Sequence, residues 1–250
     1  MTPLSTAAFR EQILSLMDRK HHWAWPRFAD GTLTNSQLKI HFQQEYAVYV
    51  RDFPVFLARI HGRNPPVPVR RMLAGNIYEE DTGGLSLGKS HPELFLAMME
   101  GLGFNAKDFE RIALLPSSRT YRAWLDAVSN KRDWVLGAAV LTIFVEGSIK
   151  DRQEMLTPSK PKTKDEIEAA IAAHPLVRHH GLAPSSMDLI RAHQAVEAGH
   201  RHDAYDMVLG YAVTTVRQKA VLACLKKSLS LWLRYRDGVA RSCGLSKPRS

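Results

Sequence analysis

The sequence predicts an all-α fold in a single domain. Apolar residues recur at three- and four-residue steps along most of the chain. No run of alternating β-branched residues bounded by hairpin turn signals interrupts that pattern. The breaks between periodic segments fall at proline, glycine or polar clusters. With 250 residues and 45% hydrophobic content, the chain can bury one sizeable core.

Met1 to Lys20 mixes Glu11, Asp18 and basic residues with scattered apolar positions, and lacks an apolar run followed by a small-residue cleavage site. It reads as mature cytoplasmic protein. Thr34 and Gln37 form a capping box that opens a long helix through Leu38, Phe42, Tyr46, Tyr49 and Phe53, which Pro54 is expected to kink rather than end. After the proline-rich connection Asn64 to Pro68, the helical pattern resumes over Val69 to Glu80 and breaks at Gly83, Gly84 and Gly88. Pro92 suits the first turn of the next helix, which runs through Leu94, Phe95, Met98 and Met99 towards Gly101. Shorter helices are expected at Ala106 to Leu114 and Ser117 to Val128, followed by a central, strongly apolar helix from Asp133 to Met155. Residues 157–184 look like an insertion, a polar loop with a short helix at Asp165 to Ala173. Two long helices, Ser185 to Val208 and Tyr211 to Arg236, complete the chain.

Composition excludes several classes of function. The longest apolar stretch, Trp134 to Val145, is far short of the roughly 20 residues that cross a bilayer. Cys224 and Cys243 are too few for a disulfide framework or a thiolate metal site, so a reducing compartment is expected. The net charge of +9 is spread along the chain, with its densest groups at Lys160 to Lys164 and Arg234 to Arg249. No aromatic-interleaved basic stripe accompanies them, which argues against specific nucleic-acid binding.

The stretch from His193 through Glu197 to His200 carries the chemistry. Two imidazoles and a carboxylate at i, i+4 and i+7 fall within about 60° of one another on a helix, which makes half of a metal site. Imidazole with carboxylate suits iron or manganese better than a thiolate-preferring metal, with zinc still open. Gln194 stands where a helical zinc protease would carry glutamate, which disfavours that class. Glu146 interrupts an apolar run, and a carboxylate there demands a partner or a metal. Glu80 ends a helix before the glycine turn and His91 starts the next, so both can point to one place, although Glu79 or Asp81 could serve instead or solvate the helix end. His21, His22, His179, His180 and His202 read as surface residues. Tyr46 and Tyr49 read as core aromatics, with a substrate contact as the alternative.

Asn76-Ile-Tyr-Glu-Glu80 with a glycine turn and His91, then Glu146, then His193-x3-Glu197-x2-His200, resembles the heme-oxygenase-like di-iron oxidases over about Asp30 to Gly210. The family's ligand glutamate follows the asparagine by four positions, which selects Glu80 over Glu79. The resemblance implies a heme-oxygenase-like helical bundle in which Glu80, His91, Glu146, His193, Glu197 and His200 hold two Fe(II) ions. It further implies dioxygen as co-substrate and oxidative C–C cleavage or N-oxygenation of a small amino-acid-derived or carboxylate substrate. This chain departs in a longer Glu80 to His91 spacing, in the insertion, and in Glu197 where several members carry aspartate. Lys150 and Arg152 are candidates to steer a substrate carboxylate, or a solvated basic face. The wider superfamily also holds thiaminase II and the cofactor-free synthase that completes pyrroloquinoline quinone, so a metal-free enzyme is the alternative. A small-molecule substrate is the expected partner, with no membrane, and a homodimer stays open.

Overall fold

The structure is a computed structural model that describes residues 2–157, 160–196 and 200–247, apart from the side chains of 195 and 200. Its helices are α1 Thr6–Met17, α2 Trp25–Ala29, α3 Asn35–Glu45, α4 Phe53–His61, α5 Val67–Thr82, α6 His91–Gly101 and α7 Pro116–Ser129. They continue as α8 Trp134–Ala138, α9 Asp151–Leu156, α10 Lys164–Ala172, α11 Pro175–His180, α12 Asp188–Val196, α13 His200–Leu209 and α14 Thr215–Ser242. The all-α expectation holds, with no strand among the described residues.

Two helices do not stay α-helical. α3 runs into a π-helical turn at Tyr46–Val50, and α8 into another at Ala139–Val145. A π turn carries one residue more per turn and shifts every later side chain around the axis. The central helix expected from Asp133 to Met155 is therefore corrected: it leaves helical geometry at Glu146 and resumes as the separate α9. The first break follows the same rule, because Pro54 lies in the first turn of α4, where its missing N–H costs nothing, and kinks no continuous helix. Ala106 to Leu114 forms only a 3-10 turn, Ala106–Phe109.

Side chains divide into two apolar clusters. The larger gathers buried faces of α1, α4, α7, α8 and its π turn, α13 and α14, among them Phe9, Leu57, Leu125, Phe144, Tyr205 and Leu229. α14 presents Leu225, Leu229, Trp232 and Val239 inward, and the Trp124 indole N–H of α7 donates to Ser228 Oγ at 2.8 Å. The smaller cluster joins α3 to α6 and to α10 through α12, through Phe42, Tyr46, Phe95, Met99, Ile171 and Leu189. Cavities line the junction between them.

His22 is a correction to the sequence reading: it is buried, and its Nε2 lies 3.0 Å from Asp237 Oδ1. Among the described residues no helix is long and apolar enough to cross a membrane.

Candidate metal centre

α5 ends on Gly83, whose left-handed conformation (φ 60°) turns the chain back. A Cβ at Gly83 would lie 2.2 Å from the Lys89 carbonyl oxygen, so only glycine lets the turn close this tightly. α6 then starts on a capping box between Ser90 and Glu93, with His91 as its first residue. This turn brings His91 Nδ1 to 3.1 Å from Glu80 Oε1. His193 arrives from α12, its ring edge-on to His91 with centroids 4.7 Å apart. One ligand atom from each of Glu80, His91 and His193 falls within 4.8 Å of the others.

Glu79, left open in the sequence as ligand or solvated helix end, is buried and does something else. Its carboxylate accepts the Leu85 N–H at 2.7 Å and the Ser86 hydroxyl, and lies 3.2 Å from His91 Nε2. A carboxylate already accepting two hydrogen bonds can only accept a third, so Nε2 carries the proton of neutral His91 and Nδ1 is left with its lone pair. Nδ1 is buried and has no hydrogen-bond partner, although it faces the Glu80 oxygen. Two donors about 2.1 Å from a common ion and at right angles lie about 3 Å apart, which matches this separation. A buried lone pair with no donor, backed by a carboxylate on the far ring nitrogen, is the arrangement of a metal-ligating histidine. The donor set of one carboxylate and two imidazoles suits iron.

The two imidazoles differ in their electrostatics. Burial lowers the His91 pKa, but the adjoining Glu80 and Glu79 more than offset it and raise it above the usual value. His193 is pushed down to about 4 by burial and by His91. Burial raises the Glu79 carboxyl, yet its bonds from Ser86, Leu85 and His91 outweigh that and hold it below its ordinary value.

Glu146 lines the same cavity of about 610 Å³ as Glu80, His91 and His193, outside the tight group they make. Asn76, four residues before Glu80 on α5, donates its amide to Glu146 Oε1 at 3.0 Å, and Arg201 of α13 reaches Oε2 at 2.9 Å. Glu197 lies outside the described residues, as does the side chain of His200. Tyr49 and Lys150 face this cavity. Tyr46 does not: it is a core residue stacked on Phe95 at 5.3 Å. Arg152 is also corrected, because its guanidinium is clamped by Glu11 of α1 and by Asp18 just past its end at 2.7–3.3 Å, away from the cavity. Lys160 and Lys162, read in the sequence only as a dense basic group, line the wall instead.

Residues that give no sequence signal hold Glu146 in place. Lys20 Nζ donates to the carbonyls of Phe144, Val145 and Gly147, and burial pulls its pKa down to about 7. Asp151, fully buried, accepts the Ser148 N–H at 2.7 Å and the Tyr205 hydroxyl at 3.0 Å. A smaller cavity of about 230 Å³ lies beyond Tyr49, Val145 and Ser148, lined also by Trp25, Glu45 and Arg236. There Arg236 pairs with Glu45 at 3.2 Å, and the Tyr49 hydroxyl donates to Glu45.

Residues 40–233 match the model of a family described as iron-containing redox enzymes. A protein of Nitrosomonas europaea named 4-aminobenzoate synthase is 22% identical over 249 residues, covering 94% of this chain and 92% of its own. A protein of the same name from Chlamydia muridarum is 26% identical over 105 residues, 41% of this chain and 42% of its own. Among solved structures, a TenA homolog of Pseudomonas syringae superposes with a TM-score of 0.70 at 13% identity, over 96% of this chain and 98% of its own. A Shewanella denitrificans domain of unknown function with a heme oxygenase-like fold gives 0.61 at 19% identity, over 98% and 95%. These structural likenesses establish the heme-oxygenase-like fold.

Proposed function

The chain belongs to the family of iron-containing redox enzymes, and on that premise we propose that it is a non-heme di-iron oxidase acting with dioxygen on a small carboxylate substrate. The observation that carries this reading is the Glu79-backed His91, whose bare Nδ1 meets Glu80 and His193 in one cavity wall. Glu80, His91 and His193 would hold iron, with Glu146, Glu197 and His200 completing a six-residue set for two Fe(II) ions. Bound iron would supply the one-electron chemistry with dioxygen that amino-acid side chains cannot provide.

The protein's own residues do the rest. Glu79 fixes the His91 tautomer, so the neutral imidazole turns the Nδ1 lone pair rather than Nε2 toward the metal site. Arg201 balances the Glu146 charge and sets its direction. Lys150, Lys160 and Lys162 put positive charge on the cavity wall, where a substrate carboxylate would be drawn and oriented. The Nitrosomonas and Chlamydia relatives named 4-aminobenzoate synthase favour a biosynthetic role; the substrate we propose is amino-acid-derived, and its oxidation breaks a C–C bond or oxygenates nitrogen.

The test is anaerobic loading with Fe(II), desalting, and iron counting with and without a panel of amino acids and aryl carboxylates. Oxygen uptake is then followed on admitting air. Two iron ions per chain and substrate-triggered oxygen uptake are expected. Protein that retains no iron under either condition overturns the proposal and leaves a metal-free enzyme of this fold.

A further inference from the structure

The segment that presents Glu146 is an irregular piece of backbone buried in the larger core. The π turn Ala139–Val145 ends just before it, and Glu146 and Gly147 donate their N–H groups back to Leu141 and Ile143. The last carbonyls of any helix have no intrahelical donor, and their partial negative charge favours a cation. Here two cations from distant parts of the chain share that work. Arg201 takes the carbonyls of Thr142 at 2.7 Å and Ile143 at 3.4 Å. Lys20, just past the end of α1, takes those of Phe144 at 2.5 Å, Val145 at 3.1 Å and Gly147 at 2.5 Å.

In its protonated form Lys20 has three donors, and the three carbonyls use all of them. Lys20 therefore has no N–H left for a ligand in the smaller cavity that it borders. Its acceptors flank Glu146 on both sides, so the lysine fixes the backbone of that residue without touching its carboxylate. Gly147 shows how closely the segment is held: a Cβ there would lie 2.2 Å from the Ile143 carbonyl, 2.6 Å from Asp151 Oδ2 and 2.8 Å from Arg201 Nη1.

We propose that Lys20 is a positioning residue of the metal centre, tying off the carbonyls on either side of Glu146 so that its carboxylate faces the cavity. The inference rests on the reading of that cavity as a metal site. Arg201 alone cannot replace the lysine, because it reaches only the carbonyls upstream of Val145 and leaves the exit from the helix unheld.

The experiment is a Co(II) titration of the metal-free, full-length protein, followed by visible absorption, for the wild type, Lys20→Met, Glu146→Gln and the double variant. Methionine keeps the length of the lysine and offers no donor. Lys20→Met is expected to weaken Co(II) binding about tenfold, within the range seen when outer-shell partners are lost, Glu146→Gln, which removes a donor, to weaken it at least as much, and both to change the Co(II) spectrum in the same way. The double variant is expected to bind no more weakly than Glu146→Gln, because the lysine acts through that glutamate. Lys20→Gln, whose amide retains two donors, is expected to fall between wild type and Lys20→Met, and it serves the same comparison if Lys20→Met does not fold. Wild-type affinity and spectrum in the Lys20 variants, even with a lowered melting temperature, overturn the inference and assign Lys20 to stability alone. Losses that multiply in the double variant overturn it as well. A wild type that binds no Co(II) refutes the metal centre itself, and this inference with it.

Discussion

The two glutamates reaching the cavity from α5 and from the end of α8 are held in opposite ways. The Glu80 side is built by one short stretch of chain, in which Glu79 binds Leu85, Ser86 and His91, twelve residues away at most. The Glu146 side is built by groups remote in sequence: Lys20 from more than 120 residues before it, and Arg201 from 55 residues after it. One half of the site can form with its own loop. The other exists only once α1 and α13 have docked onto the core, so its geometry depends on the whole tertiary structure.

Four substitutions test this contrast. His193→Ala removes a donor outright and is expected to weaken Co(II) or Fe(II) binding by at least about 100-fold, read by equilibrium titration; an unchanged affinity would remove His193 from the site. Glu79→Gln is expected to cost about 10- to 100-fold, as outer-shell partners of ligating histidines do. It should also move a pH midpoint. Metal and proton compete for His91 Nδ1, whose pKa is raised, so affinity falls as pH drops through that raised value; losing the Glu79 charge lowers the midpoint. His193, at about 4, stays neutral throughout that range. A midpoint that does not move would show that Glu79 is not coupled to the histidine.

Gly147→Ala acts on the remote half alone. Its Cβ would lie 2.2 Å from the Ile143 carbonyl oxygen, a backbone atom that cannot swing aside, and against the Asp151 and Arg201 side chains, so a loss of about 1–3 kcal/mol in denaturant unfolding is expected. Co(II) bound to this variant should resemble that in Glu146→Gln. Ser86→Ala is the mildest: Glu79 keeps its Leu85 and His91 partners, so a loss of about 1 kcal/mol is expected, with metal affinity changed a few-fold at most. If Ser86→Ala proved as damaging as Gly147→Ala, the local half would be no more self-sufficient than the remote one.

Legibility in the sequence follows the same division. The all-α class, the capping box at Thr34, and the glycine turn that pairs Glu80 with His91 are local patterns, and the structure carries each of them. Glu146 was conspicuous as a charge inside an apolar run, but nothing near it in the chain announced Lys20 or Arg201. Arg152 lies close to Glu146 along the chain, yet the break at the π turn swings α9 towards α1, where Glu11 and Asp18 take its guanidinium. The π turn itself escapes periodicity, because Ala139 to Val145 is apolar all round apart from Thr142 and so shows no register to be shifted. The place of His22 in a connection suggests a surface residue, whereas its burial depends on α14, more than two hundred residues later.

The π turn in the central helix has a consequence for how such a site changes over evolution. It stores one surplus residue immediately ahead of a glutamate that faces the cavity. Deleting that residue would let the helix relax to ordinary winding and swing the acid by about 100°, taking it off the cavity without altering any side chain. Gain or loss of a single codon, rather than exchange of one amino acid for another, would then be the shortest path between relatives that keep this carboxylate and relatives that have retired it.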